Sequence, residues 1–328
     1  MNSNNNINHG EFREIIPEKA PPVMASVLTA ILCAVLAPLS LTLILVPLFC
    51  AGVIFLFSAK TPLVVRMIPI IGIAGSYLYG GIYLALFAAG LWLAAAVCGV
   101  VIRLGGDFHR ALMANTFVLL VMAVGGAAAY MYQSGITTAD IAAYTKSIFD
   151  ESAAQITQMY GNVLPAQTIA LAEERYAAFG EIAVLYLPAA AGFAAVVCGI
   201  VSLLFAGMLH SLTGTSSYPA VRRQAVVDPV FATVWLVSLL LGAVDGGAVG
   251  ICASNIMMIF MLPCAAAGIT AYKVQIRERR ERGRRGLPFS LIFLIFVSVF
   301  ASPVTGVMIL SVNGALFAYS KKRFFVTR

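Results

Sequence analysis

Four stretches of this chain, residues 22–59, 121–138, 182–209 and 230–271, carry almost no ionisable side chain. A bilayer core of about 30 Å is crossed by about 20 apolar residues in a helix. Stretches of this length are therefore expected to be transmembrane helices or pairs of them. Composition agrees: 61% of the 328 residues are hydrophobic and 11% charged, against roughly 45–50% and about 25% in a soluble domain. The fold class expected is all-α, a polytopic transmembrane helix bundle.

Clusters of Lys and Arg mark the ends of the spans, because such residues accumulate in short cytoplasmic loops. They fall at Arg13/Lys19, Lys60/Arg66, Arg103/Arg110, Arg222/Arg223, Lys273 to Arg285, and Lys321 to Arg328. Between them, residues 22–59, 67–102, 230–272 and 287–320 are too long for one ordinary span and about right for a tight pair. Each has a break, at Pro38, Gly80-Gly81, Asp245 to Gly247, and Pro303. Single spans are expected at 112–132 and 182–209. This predicts about ten spans with both termini cytoplasmic. Eight result if two hairpins are single tilted or re-entrant helices.

Residues 134–181 form the only sizeable polar insert, with Lys146 and Arg175 against six carboxylates. Its charge places it outside. Its apolar rhythm predicts an extracytoplasmic helical hairpin, with Thr138 as a cap, a stop at Gly161-Asn162 and Pro165, and a second helix over 166–179. The domain reading is a disordered cytoplasmic tail (1–21), an N-terminal transmembrane half (22–133), the insert (134–181), and a C-terminal transmembrane half (182–328) containing the basic loop 273–285.

That loop, within "YKVQIRERRERGRRG", sets Arg277, Arg279, Arg280, Arg282, Arg284 and Arg285 beside an apolar span, interleaved with Glu278 and Glu281. It reads as a solvated helical segment that fixes orientation and meets anionic lipid headgroups. Nucleic acid is not an expected partner, since no aromatic stacking platform accompanies the charge.

Polar residues inside the spans are few. Asp245 lies at a turn, while Ser254, Asn255 and Asn313 lie deeper. Ser254, Asn255 and Asp245 are the candidate ligand-binding residues, with interhelical hydrogen bonding as the alternative role. Gly242, Gly246 and Gly250 recur at four-residue steps, and Ala30 and Ala34 form a second small-residue face. Both predict close helix packing. The histidines are expected in the tail or at loop edges. No metal or cofactor is expected, and no enzyme, since the chain has no His-Glu-x-x-His, no Gly-x-Ser-x-Gly and no phosphate loop.

The segments "SSYPAVRRQAVVDPVFATVWLVSLLLG", "NIMMIFMLPCAAAGITAYKVQIRERRERG" and "ASPVTGVMILSVNGALFAYSKKR" resemble the YybS-like family of bacterial predicted multi-pass membrane proteins, a family without an established function. That family is distantly similar to the S components of energy-coupling-factor transporters and to MreD-type proteins. The resemblance implies a bacterial cytoplasmic (inner) membrane location and one of two functions. One is transport-related binding of a small solute within the bundle, energised by separate membrane subunits. The other is a non-transporting scaffold of a cell-envelope assembly. S components dock on their partner through small-residue helix faces of the kind at Ala30 and Ala34. This chain departs from them in its length, its span number and the lack of an evident vitamin-binding loop.

Overall fold

A computed structural model describes residues 20–41, 44–106, 108–161, 163, 165–215, 227–283, 286–300 and 302–320. Residues 1–19 of the tail, Asn162, and Arg284 and Arg285 of the basic loop lie outside the described residues. Among the described residues the regular structure is all helical, with no strand. The α-helices are α1 (Val23–Leu36), α2 (Val46–Ser58), α3 (Leu63–Arg103), α4 (Phe108–Ser134), α5 (Thr138–Tyr160), α6 (Ala166–Ala183), α7 (Leu187–Leu212), α8 (Pro229–Val244), α9 (Ala248–Glu281), α10 (Phe289–Phe300) and α11 (Pro303–Phe317).

Four helical stretches, Leu63–Arg103, Phe108–Ser134, Ala166–Leu212 and Ala248–Glu281, are long and apolar enough to cross a membrane. The arms α1, α2, α8, α10 and α11 have 12 to 16 residues. At 1.5 Å per residue they reach about 18–24 Å, short of a hydrocarbon core of about 30 Å. Three of the four pairs expected from the sequence, 22–59, 230–272 and 287–320, thus contain at least one arm shorter than a full span.

Helix α3 is a hairpin rather than a rod. The ring of Phe57 has the Arg66 guanidinium 5.9 Å from its centroid and the Trp92 ring at 5.6 Å. On a straight helix those two residues would stand about 39 Å apart. The chain folds back at Gly80 and Gly81, whose backbone leaves the helical region, and Gly81 takes φ 72°. Only glycine adopts that conformation without strain.

Two packed groups result. In the first, α2 is buried from Phe49 to Ala59 within α1, α3 and α7. A helix apolar all round requires such a position. In the second, α9 packs against α8 and α11, and the wholly buried Trp235 donates its indole N–H to the Met257 carbonyl at 3.0 Å. The backbones of α9 and α11 touch: a Cβ added at Gly268 would collide with the Leu310 carbonyl, and one at Gly314 with the Cys264 carbonyl. Helices α7 and α9 join the two groups through Val196, Ala189 and Ile259.

The insert forms the hairpin α5–α6. Its first helix is capped by Thr137, one residue earlier than Thr138, because Asp140 at the third helical position completes a reciprocal capping box. The hairpin packs mainly on itself and joins the rest of the chain through the turn Val184–Tyr186.

Candidate functional site

The polar residues singled out in the sequence lie mostly at the seams of the bundle. Asp245 ends α8 and caps α9. Its carboxylate accepts from the amides of Gly247 at 2.9 Å and Gly250 at 3.0 Å, filling two of the donors that a helix start leaves open. Gly250 lies directly against the Asp245 carbonyl, and Gly242 lies against Ser254. Gly246 departs from the expected packing series. It sits in the exposed turn with open space where its side chain would be, because the chain reverses there.

Asn255 is buried and its amide is fully engaged. Oδ1 accepts from the Ala189 amide at 2.8 Å, while Nδ2 donates to the Leu185 and Ile251 carbonyls, each at 2.9 Å. Pro188 enters α7 at its first turn and the 3₁₀ turn precedes it. The side chain of α9 thus supplies partners where the backbone of the α6–α7 junction lacks them.

Ala30 and Ala34 face inward. Ala30 is wholly buried, and the Ala34 backbone lies against Gly72 of α3. This small-residue face is covered by the chain's own hairpin. Arg277, Arg279 and Arg280 continue α9, with Arg282 as its C-terminal cap. At about 51 Å, α9 outreaches a bilayer core by several turns. Arg277 pairs with Glu281 at 3.0 Å with both side chains exposed, an arrangement worth little energetically.

His109 and His210 stand at helix ends, at the start of α4 and in the last turn of α7, and both are buried there. His210 Nε2 lies 2.8 Å from the Ser58 hydroxyl and Nδ1 2.8 Å from the Thr215 hydroxyl, with Phe55 edge-on at 4.9 Å. The three side chains tie α2 to the end of α7. His109 stacks edge-on with Phe231 at 4.9 Å, joining α4 to α8. The His210–Ser58 and His109–Phe231 contacts have no local sequence signal, since those partners are over a hundred residues away.

Some buried polar groups have no such closure among the described residues, Trp92 Nε1 and Arg279 Nε among them. Asn115, on the eighth residue of α4, is 0% exposed, and of the groups without closure only its side chain has both polar atoms, Oδ1 and Nδ2, without a hydrogen-bond partner among the described residues. The neighbouring Thr116, 1% exposed, also has an unpartnered hydroxyl. Asn115 faces Gly199, near the midpoint of α7, where an added Cβ would lie 2.8 Å from Nδ2. The Asn313 amide nitrogen, in α11, is likewise buried without a partner. A buried amide left open costs about 1–3 kcal/mol. Among the described residues this places hydrogen-bonding capacity inside an otherwise apolar bundle.

Compared with protein-family models, with curated proteins and with solved structures, the chain matches none.

Proposed function

We propose that this chain is a multi-pass protein of the bacterial cytoplasmic membrane, similar in architecture to the YybS-like family, that holds a small polar solute within its helices. The observation that carries this reading is the wholly buried, unpartnered amide of Asn115 with the Thr116 hydroxyl beside it. An amide offers both donors and an acceptor, so an uncharged hydrogen-bonding solute is the matching chemistry. In this reading Asn255 forms framework at the α7–α9 seam, and Ser254 and Asp245 form framework at the α8–α9 turn. Separate subunits supply the energy. The hairpins α1–α2, α3, α8–α9 and α10–α11, with α4 and α7, make ten membrane segments, the short arms α1, α2, α8, α10 and α11 being accommodated by local thinning of the bilayer. The basic end of α9 lies on the cytoplasmic side against anionic headgroups, and both termini share that side.

The experiment is native mass spectrometry of the full chain released from mild detergent. The wild type is expected to retain a small-molecule mass that Asn115→Leu loses while staying monodisperse. The sidedness is tested by a cysteine at Ser152, expected to react with an impermeant thiol reagent on intact cells, and one at Gly283, expected not to react.

A scaffold role in a cell-envelope assembly is the second reading, favoured by the α5–α6 hairpin, which packs on itself and leaves Tyr144, Met159 and Phe179 exposed. Copurifying envelope proteins, no retained solute, and function lost only on replacing the hairpin would establish that reading and overturn the first.

A further inference from the structure

Folding α3 back at Gly80-Gly81 brings its two ends to the same end of the bundle, and each carries a cation, Arg66 and Arg103. Arg66 lies in the first turn of α3 and is anchored on one edge. Its Nε donates to the Thr61 hydroxyl at 3.1 Å and its Nη2 to the Ala59 carbonyl at 3.5 Å, with the plane over Phe57. Thr61 is itself 4% exposed and fixed by donating to the Leu56 carbonyl at 2.6 Å. Phe57 also packs against Gly99, one helical turn before Arg103 at the end of α3. The charge of Arg103 consequently bears on Arg66. Lys60, exposed, stands between the two residues that anchor Arg66.

Like charges repel, and a fold that holds them together needs an opposing charge. Among the described residues no carboxylate pairs with either arginine, while Asp107, four residues after Arg103, lies outside the described residues; an anion bound between the cations would relieve their repulsion. A guanidinium held by one edge presents the rest of its fork outward. Two such groups with an ammonium match the several oxygens of a phosphate.

We propose that Arg66 and Arg103, with Lys60, form a phosphate-binding site at this end of the bundle, filled by a phospholipid headgroup or by a free phosphate. The site stands where the apolar α2 ends and where both arms of α3 meet, at the depth a headgroup phosphate occupies beside spanning helices. A role confined to closing the carbonyls at the end of α2 would need Arg66 alone. Arg103 is exposed and makes no hydrogen bond to that end.

The test uses the full chain in phosphatidylcholine nanodiscs with and without phosphatidylglycerol, and separately with inorganic phosphate titrated into phosphatidylcholine discs. Native mass spectra should show phosphatidylglycerol retained by the wild type and about fivefold less by Arg103→Gln, the effect of one surface cation on an anionic membrane. Arg175→Gln, on the exposed face of the α5–α6 hairpin, should retain it as the wild type does. Thermal stabilisation by inorganic phosphate alone, lost in Arg103→Gln, would assign the site to a free anion instead of a headgroup. Arg103→Gln leaves every hydrogen bond of the Arg66 anchor in place, so it separates binding from folding. Wild-type behaviour of Arg103→Gln in both arms, or no response of the wild type to either anion, would overturn the proposal.

Discussion

The hairpin α5–α6 and the seam between α7 and α9 are both helix pairs, yet different groups hold them. In the hairpin a capping box starts the first helix, Lys146 pairs with Glu181 at 3.4 Å, and Phe149 meets Phe179 edge-on at 5.3 Å. Its charged groups remain exposed and can exchange their partners for water. At the seam, Gly192 receives Ile259, and Asn255 engages every amide atom with backbone groups of α7, the turn before it, or its own helix. An apolar surrounding offers no replacement partner, so each polar atom must find one inside the chain. The comparison teaches that a buried polar residue with all partners present reads as framework. One without partners reads as a place for something else.

The difference can be broken at graded cost. The largest effect is expected where two backbones touch. Gly268→Leu sets a side chain against the Leu310 carbonyl and should cost about 3 kcal/mol or more by overpacking, read as loss of the folded species in detergent unfolding curves. An unchanged midpoint would show that α9 and α11 do not cross there.

A smaller effect is expected from Asn255→Leu, which removes three hydrogen bonds. At about 0.6 kcal/mol each in a membrane helix pair, the loss is about 2 kcal/mol, seen as a lower unfolding midpoint with helix content retained. No shift would mean the α6–α7 junction needs no partner.

The smallest effect belongs to the hairpin and depends on pH. The Thr137 backbone amide and hydroxyl, each 2.7 Å from the Asp140 carboxylate, hold its pKa below the ordinary Asp range. A pKa depressed in the folded state contributes stability that is fully present above the unfolded value, about 3.9, and is lost as pH falls through the folded one. Amide-exchange protection of the first turn of α5 should therefore be constant from neutral pH down to about 4 and fall below it, relative to Asp140→Asn. A decline centred near pH 6 would assign the effect to another group.

Much of this fold is legible along the chain because its punctuation is local. Gly80-Gly81, the turn at Asp245 to Gly247, and Pro303 each disrupt a helix through their own backbone chemistry, and the charge of 134–181 marks it as separate from the apolar helices. The sites are less legible because they form by convergence. Asn115 follows His109 and Arg110 in sequence and reads as the edge of a span, yet Gly199 of α7 closes over it. His210 reads as a loop-edge residue until Ser58 of α2 is brought to it. Gly268 and Gly314 carry a spacing signal, with Cys264 four residues before the one and Ala318 four after the other. That signal is weaker than the glycine series at 242–250, and only the crossing of α9 with α11 shows that it is used.

The central claim is that Asn115 is kept for a solute and Asn255 for the framework. The same substitution at both positions tests it most directly, by the unfolding midpoint of the solute-free protein in one detergent. Asn255→Leu is expected to lower the midpoint. Asn115→Leu is expected to raise it, because a buried amide without partners, worth about 1–3 kcal/mol of penalty, is removed. A fall of similar size in both variants would contradict the account, since Asn115 would then be bonded within the folded chain as Asn255 is.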